Sequence, residues 1–155
     1  DERKAMASVP WGTLIMICGV GMLISVAIKA GTIDALASWI GGSIPPLLVP
    51  VVFGVVAAFM SLFSSTLGVV TPALFPMVLP IAQAMGLEPM VLFIAIVVGA
   101  QATSISPFSS GGSLILGSCT SEQSRATLFP QLLFKAAPIG FVAALVFNVL
   151  LTFFY

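Results

Sequence analysis

Histidine is absent from this 155-residue chain, cysteine occurs twice, and only 6% of the residues are charged, where a soluble domain carries roughly 25%. Each shortage removes a chemistry. Without histidine there is no Ser–His pair for nucleophilic catalysis and no imidazole ligand for a metal. Cys18 and Cys119 stand far apart with no CxxC partner, so neither a zinc site nor a disulfide framework is expected. A net charge of zero excludes the strongly basic surface of a nucleic-acid-binding protein. The charged residues fall at or near the ends of apolar segments, which leaves no Asp, Glu or His at mid-membrane depth for a proton relay. The reading is of a protein that is not an enzyme, uses no cofactor or catalytic metal, and has no nucleic-acid partner.

What is present is hydrophobic sequence, 59% of the chain at a mean hydropathy of +1.22. Uncharged runs cover residues 5–28, 35–87, 89–121 and 136–155, and a crossing needs about 20 apolar residues. The chain therefore reads as an all-α integral membrane protein in one membrane domain, with the lipid bilayer as its first partner. About three transmembrane helices, a re-entrant helical hairpin and an interrupted helix are expected. The first apolar segment leads straight into more membrane sequence, so no cleavable signal peptide is expected.

Taken in order, residues 9–30 form the first span, opened by Pro10 and by Trp11 at an aromatic belt. Residues 33–42 follow as an interfacial amphipathic helix. Ile33, Leu36, Ala37 and Ile40 share one face, Asp34 and Ser38 the other, and Gly41 and Gly42 stop it. Residues 44–86 read as the hairpin and contain no charge at all. Pro45, Pro46 and Pro50 begin the first arm, Pro72, Pro76 and Pro80 punctuate the second, and Ser64-Ser65-Thr66-Leu67-Gly68 turns between them. A turn in water usually carries Asn, Asp, Lys or Glu; hydroxyls alone predict a tip buried in protein near the bilayer middle. Two full spans joined by a tight turn are the alternative. Residues 88–119 read as the interrupted helix, residues 120–127 as an exposed loop with Glu122 and Arg125, and residues 127–155 as the last span. Phe153, Phe154 and Tyr155 mark its far interface. Arg3, Lys4, Arg125 and Lys135 then share one side and Lys29 the other, which places the N-terminus in the cytoplasm and the C-terminus outside.

The densest polar sequence lies inside the interrupted helix. Residues 99–117, GAQATSISPFSSGGSLILG, hold six hydroxyl residues, the amide of Gln101, Pro107 and a glycine pair. Pro107 has no N–H and collides with the preceding turn, and paired glycines make a poor helix interior, so the break is expected at residues 104–113. Broken backbone at membrane depth is tolerated only where protein or a polar cavity satisfies it, which makes such a break a pointer to a binding site. Hydroxyls, backbone carbonyls and helix ends suit two guests. Oxygens near Thr103, Ser104 and Ser106, at the carbonyl end of the first half-helix, suit a small hard cation such as Na⁺. Ser109, Ser110, Gly111, Gly112 and Ser113, at the amide end of the second, suit an anion such as a carboxylate. The alternative is that these small residues serve close helix packing, with Ser and Thr bonding back to their own turn.

Three stretches resemble the C-terminal half of carriers of the ion-transporter superfamily, above all the divalent anion/sodium symporters (the dicarboxylate and citrate carriers) and the malonate-carrier-type permeases. VPWGTLIMICGVGML resembles their Trp-Gly helix opening, SLFSSTLGVVTPALFPMVLPIAQAMG their outer re-entrant hairpin, and PMVLFIAIVVGAQATSISPFSSGGSLILG their broken helix. The resemblance implies one repeat of an inverted-repeat transporter and secondary transport of a small organic anion, a di- or tricarboxylate, with Na⁺ as coupling ion. It places Ser64, Ser65, Thr66 and Gly68 at the sodium-binding tip, with Ser65 and Thr66 also on the substrate carboxylate. Pro107, Ser110 and Ser113 take the places of the family's break proline, Thr and Asn. Asn is absent from both motifs here, and Gly111 and Gly112 replace a proline pair. The resemblance further implies a multi-pass place in the inner cell membrane, a missing N-terminal repeat or partner subunit, and a homodimer of the complete carrier. An accessory membrane subunit without a site of its own is the competing reading, and a channel a third.

Overall fold

The computed structural model describes Met6, Val9 and residues 11–154. Arg3, Lys4, Pro10 and Tyr155 lie outside the described residues, as do the side chains of Ile33, Asp34, Leu36, Ala37 and Ile40 on which the amphipathic reading rests. Among the described residues only helices form. Helix α1, Trp11–Lys29, lies within residues 9–30, where the first span is expected. Gly31, at φ +71°, turns the chain into α2, Thr32–Ser43, with a left-handed conformation that costs glycine little. The glycine pair at 41–42 does not stop α2; the helix runs to Ser43, two residues short of Pro45.

A short 3₁₀ turn, Pro46–Leu48, leads into α3, Val49–Phe63, the first arm of the hairpin. The second arm is a π turn, Thr66–Val70, continued by α4, Thr71–Met85, and closed by Gly86 at φ +66°. Helix α5, Pro89–Thr103, and the eight-residue α6, Ser110–Gly117, are the halves of the interrupted helix. Helix α7, Glu122–Gln131, then passes through a second π turn, Leu132–Ala136, into α8, Ala137–Phe154. The loop expected at residues 120–127 is instead mostly helix. Ser121 caps it, its hydroxyl accepting from Ser124 N at 3.2 Å, and Glu122 favours the positive end of the helix dipole. The exposure expected of that segment is observed.

Both π turns end two residues before a proline, Pro72 in one case and Pro138 in the other. A proline ring collides with the carbonyl four residues back. Here the amide just ahead of each proline reaches five residues back instead, Thr71 N to Thr66 O and Ala137 N to Leu132 O. The widened turn makes room for the ring.

Among the described residues three segments are long and apolar enough to cross a bilayer: Pro46–Phe63, Thr66–Met85 and the continuous Glu122–Phe154. At 1.5 Å per residue the two hairpin arms are about 27 and 30 Å long, a length that also fits the alternative of two full spans. Helix α3 packs most closely on α5, and α8 lies against both; α1 and α2 pack on α4. The seam is lined by small residues. Gly54, Ala57, Ala58 and Ser61 recur at helical spacing on α3, and Gly99 and Thr103 of α5 meet this stripe at Gly54 and Ala58. Gly99 touches Gly54 so closely that a Cβ there would overlap the Gly54 carbonyl, and one at Gly140 of α8 would overlap Ala102 O. Outward, α8 exposes Ile139, Val142, Val146, Leu150 and Phe153, while Ala144, Asn148 and Thr152 are buried. Apolar side chains outside and small or polar ones inside are the pattern of a helix in lipid.

Candidate functional site

The hairpin tip comes to rest on the end of α5, one turn before the helix breaks. Thr66 Oγ1 donates to Ala100 O at 3.3 Å, and Thr103 Oγ1 returns a bond to Ala58 O at 2.8 Å. Ser61 Oγ lies 2.8 Å from Thr66 Oγ1; since the Thr66 proton goes to Ala100, Ser61 is the donor between them. Phe63 stacks on Phe108 of the break, with ring centres 6.1 Å apart. Ser61, Thr66 and Thr103 are all buried. The two polar interruptions of the chain thus meet at one level. Ser61 escaped the sequence reading, although its place four residues beyond Ala57 and three beyond Ala58 put it on the same buried stripe.

At the tip itself, Ser65 Oγ accepts from Gly68 N at 3.1 Å, which leaves its own proton free for another acceptor. Ser64 Oγ donates to Met60 O at 2.6 Å. Across the break, irregular chain runs over residues 104–109 only. Ser109 caps α6: its Oγ accepts from Gly112 N at 3.2 Å and donates to Ser106 O at 2.7 Å, with Ser104 O also close. Residues 110–113, expected to be non-helical, already belong to α6, because Ser109 supplies the cap three residues before Gly112. Ser104 Oγ and Ser113 Oγ donate to carbonyls of their own turns, Gln101 O and Ser110 O.

Gly111 and Gly112 let the chain pack tightly against itself. A Cβ at Gly111 would lie 2.6 Å from Ser104 O, and one at Gly112 would overlap Ser106 O. The pair lets the break fold back onto the start of α6, so the space it leaves is filled by the chain's own carbonyls. Of the candidate anion ligands, Ser110 is exposed, and by helix geometry the Ser110 and Gly111 N–H groups have no intrahelical acceptor. Ser109 and Gly112 are buried. Ser109→Ala removes a cap and the hydroxyl's carbonyl bond and is expected to lower stability by about 2 kcal/mol, read as a shift in thermal unfolding, whereas Ser110→Ala should stay within about 0.5 kcal/mol.

Beside this junction lies a cavity of about 400 Å³ lined by Phe59, Phe63, Ser106, Phe108, Pro138 and Phe141, among others. Its wall is almost wholly apolar, and a carboxylate there would lose its hydration without replacement. Hydrogen-bond donors lie instead on the hydroxyl and amide side of the junction.

The fold and these contacts define a multi-helix membrane protein organised around a polar junction between a hairpin and an interrupted helix. Residues 1–75, just under half of the chain, match the family model described as citrate transporter, a likeness in line with the resemblance to the ion-transporter superfamily. The match takes in α1 to α3, the tip and the first turn of α4, and stops short of the interrupted helix. No curated protein and no solved structure matches the chain.

Proposed function

We propose that this chain is one half of a secondary carrier for a small organic anion, a di- or tricarboxylate such as citrate, driven by Na⁺. The observation that carries this reading is the pair of bonds joining tip to break, Thr66 to Ala100 and Thr103 to Ala58. In this reading the hairpin is re-entrant, because its tip shares the depth of the broken helix. Hydroxyl and carbonyl oxygens of Ser64, Ser65, Thr66, Gly68, Thr103, Ser104 and Ser106 hold Na⁺. Ser65 and Thr66, with the exposed Ser110 hydroxyl and the free amides of Ser110 and Gly111, receive the carboxylate at the positive end of α6. A second repeat, from a longer chain or a partner subunit, completes the site, and the complete carrier forms a homodimer. It sits in the inner cell membrane with the N-terminus cytoplasmic and the C-terminus external.

The test is uptake of labelled citrate and succinate by vesicles holding the complete carrier, with and without a Na⁺ gradient. Thr66→Val keeps the shape and removes the oxygen; it is expected to cut Na⁺-driven uptake tenfold or more at unchanged protein level, given about 1–3 kcal/mol for a lost polar partner. The accessory-subunit reading draws on a different observation, that Thr103, Ser109 and Ser113 already donate to carbonyls of the chain itself. It expects no effect of Thr66→Val on uptake and a less stable assembly.

A further inference from the structure

Asn148 is the chain's single asparagine, lies well within α8 and is fully buried. Its Nδ2 donates to Ala144 O at 2.9 Å, one turn back on the same helix. That bond fixes which end of the amide is nitrogen, since Oδ1 has no proton to give a carbonyl. Oδ1 is left without a donor, and among the described residues it is the one buried side-chain nitrogen or oxygen so placed. The amide lies flat on α3: a Cβ at Gly54 would come 2.6 Å from Asn148 Cγ and 2.8 Å from Oδ1.

Two further features concern the helix that carries it. Side-chain bonds tie α3 and the tip to α5, through Thr103 and Thr66. Among the described residues, by contrast, the bonds of Asn148 and Thr152 stay within α8, and α8 meets α3 and α5 through small-residue packing at Gly54 and Gly140. At its start, α8 also has a ready hinge. The π turn Leu132–Ala136 and Pro138 interrupt the regular ladder there.

We propose that α8 swings away from the α3–α5 pair about this hinge, and that Asn148 is the polar wedge of the seam. When the seam is closed, Oδ1 is desolvated and unpaired; when it opens as a water-filled cleft between α8 and the α3–α5 pair, water hydrogen-bonds it. The penalty therefore falls on the closed packing alone and raises the open population by roughly tenfold or more over that of an apolar residue in the same place. The motion stands apart from the carrier reading, since it concerns how the helices part and not what they bind.

Because asparagine occurs once, feeding ¹⁵N-asparagine gives the full chain in lipid nanodiscs a single side-chain amide signal. On transfer to D₂O the Nδ2 protons of Asn148 are expected to exchange well before the backbone amides of residues 95–100 in α5. Asn148→Leu keeps the branching and removes the acceptor, and should slow deuterium uptake over residues 140–152 about tenfold. Survival of the Nδ2 signal for as long as the most protected α5 amides overturns the proposal. So does unchanged or faster uptake over residues 140–152 in Asn148→Leu, the result expected if Asn148 only holds the helices together. Should that variant fail to fold, the wild-type label decides alone.

Discussion

Replacing Gly99 by Leu is expected to be the most damaging single change in the helical core. A Cβ at this position would overlap the Gly54 carbonyl oxygen and lie 2.9 Å from its carbon. Both atoms are backbone, so no side chain can swing aside; α3 must move off α5. With it go the Thr103–Ala58 and Thr66–Ala100 bonds and the seat of Asn148 on Gly54. Ordinary overpacking costs about 1–3 kcal/mol. Losing the crossing and its two bonds together should cost about 4 kcal/mol, read as the temperature at which the monodisperse peak of the detergent-solubilised protein is lost on size exclusion. Gly21→Leu is the matched control, because nothing lies within 4 Å of a Cβ there, and it should shift stability by less than about 0.5 kcal/mol. Equal losses from the two variants would mean that the Gly54–Gly99 contact does not organise the core.

Much of this fold is legible in the sequence because bilayer helices are fixed by long apolar runs and by proline, glycine and capping signals at their ends. Pro89 after Glu88 opens α5, Gly86 closes α4, and the polar run after Thr103 ends α5, each as the residues predict. Segments that depart from expectation do so for local reasons. Gly41 and Gly42 lower helix propensity by about 1 kcal/mol each, a weak penalty that α2 absorbs. Pro138 falls inside the last helical run, but a proline removes one bond only, and the π turn ahead of it rearranges the neighbouring one. Helix thus continues from Glu122 to Phe154.

The junction was legible in outline and not in detail. A hydroxyl-only turn and a hydroxyl-rich break in one uncharged chain point to a shared buried place, and Thr66 and Thr103 do face the same turn of α5 around Ala100. Which hydroxyls remain open to a guest is set by carbonyls brought in by the fold. Ser109 is absorbed as a cap and Ser113 bonds back one turn, while Ser65 keeps a free proton. Asn148 carries no motif and gave no signal beyond being the lone amide on an otherwise small or apolar helix face.

Gly112→Ala separates the two accounts of the break by the sign of its effect. Alanine is the best helix former, so propensity alone expects a gain of about 1 kcal/mol inside α6. The contacts expect a loss. A Cβ at Gly112 would overlap Ser106 O and lie 2.7 Å from Ile105 O, both backbone atoms of the folded-back turn. To admit it, residues 104–109 must lift off α6, which pulls Ser109 from Gly112 N and Phe108 from Phe63. The net cost should be about 2–3 kcal/mol, in thermal unfolding of the solubilised protein. Gly117→Ala, in the same helix with nothing within 4 Å, isolates the propensity term and should be neutral or stabilising. If Gly112→Ala stabilised the protein as much as Gly117→Ala does, the turn would not be closed on α6. The glycine pair would then offer the open backbone that direct approach of a carboxylate requires.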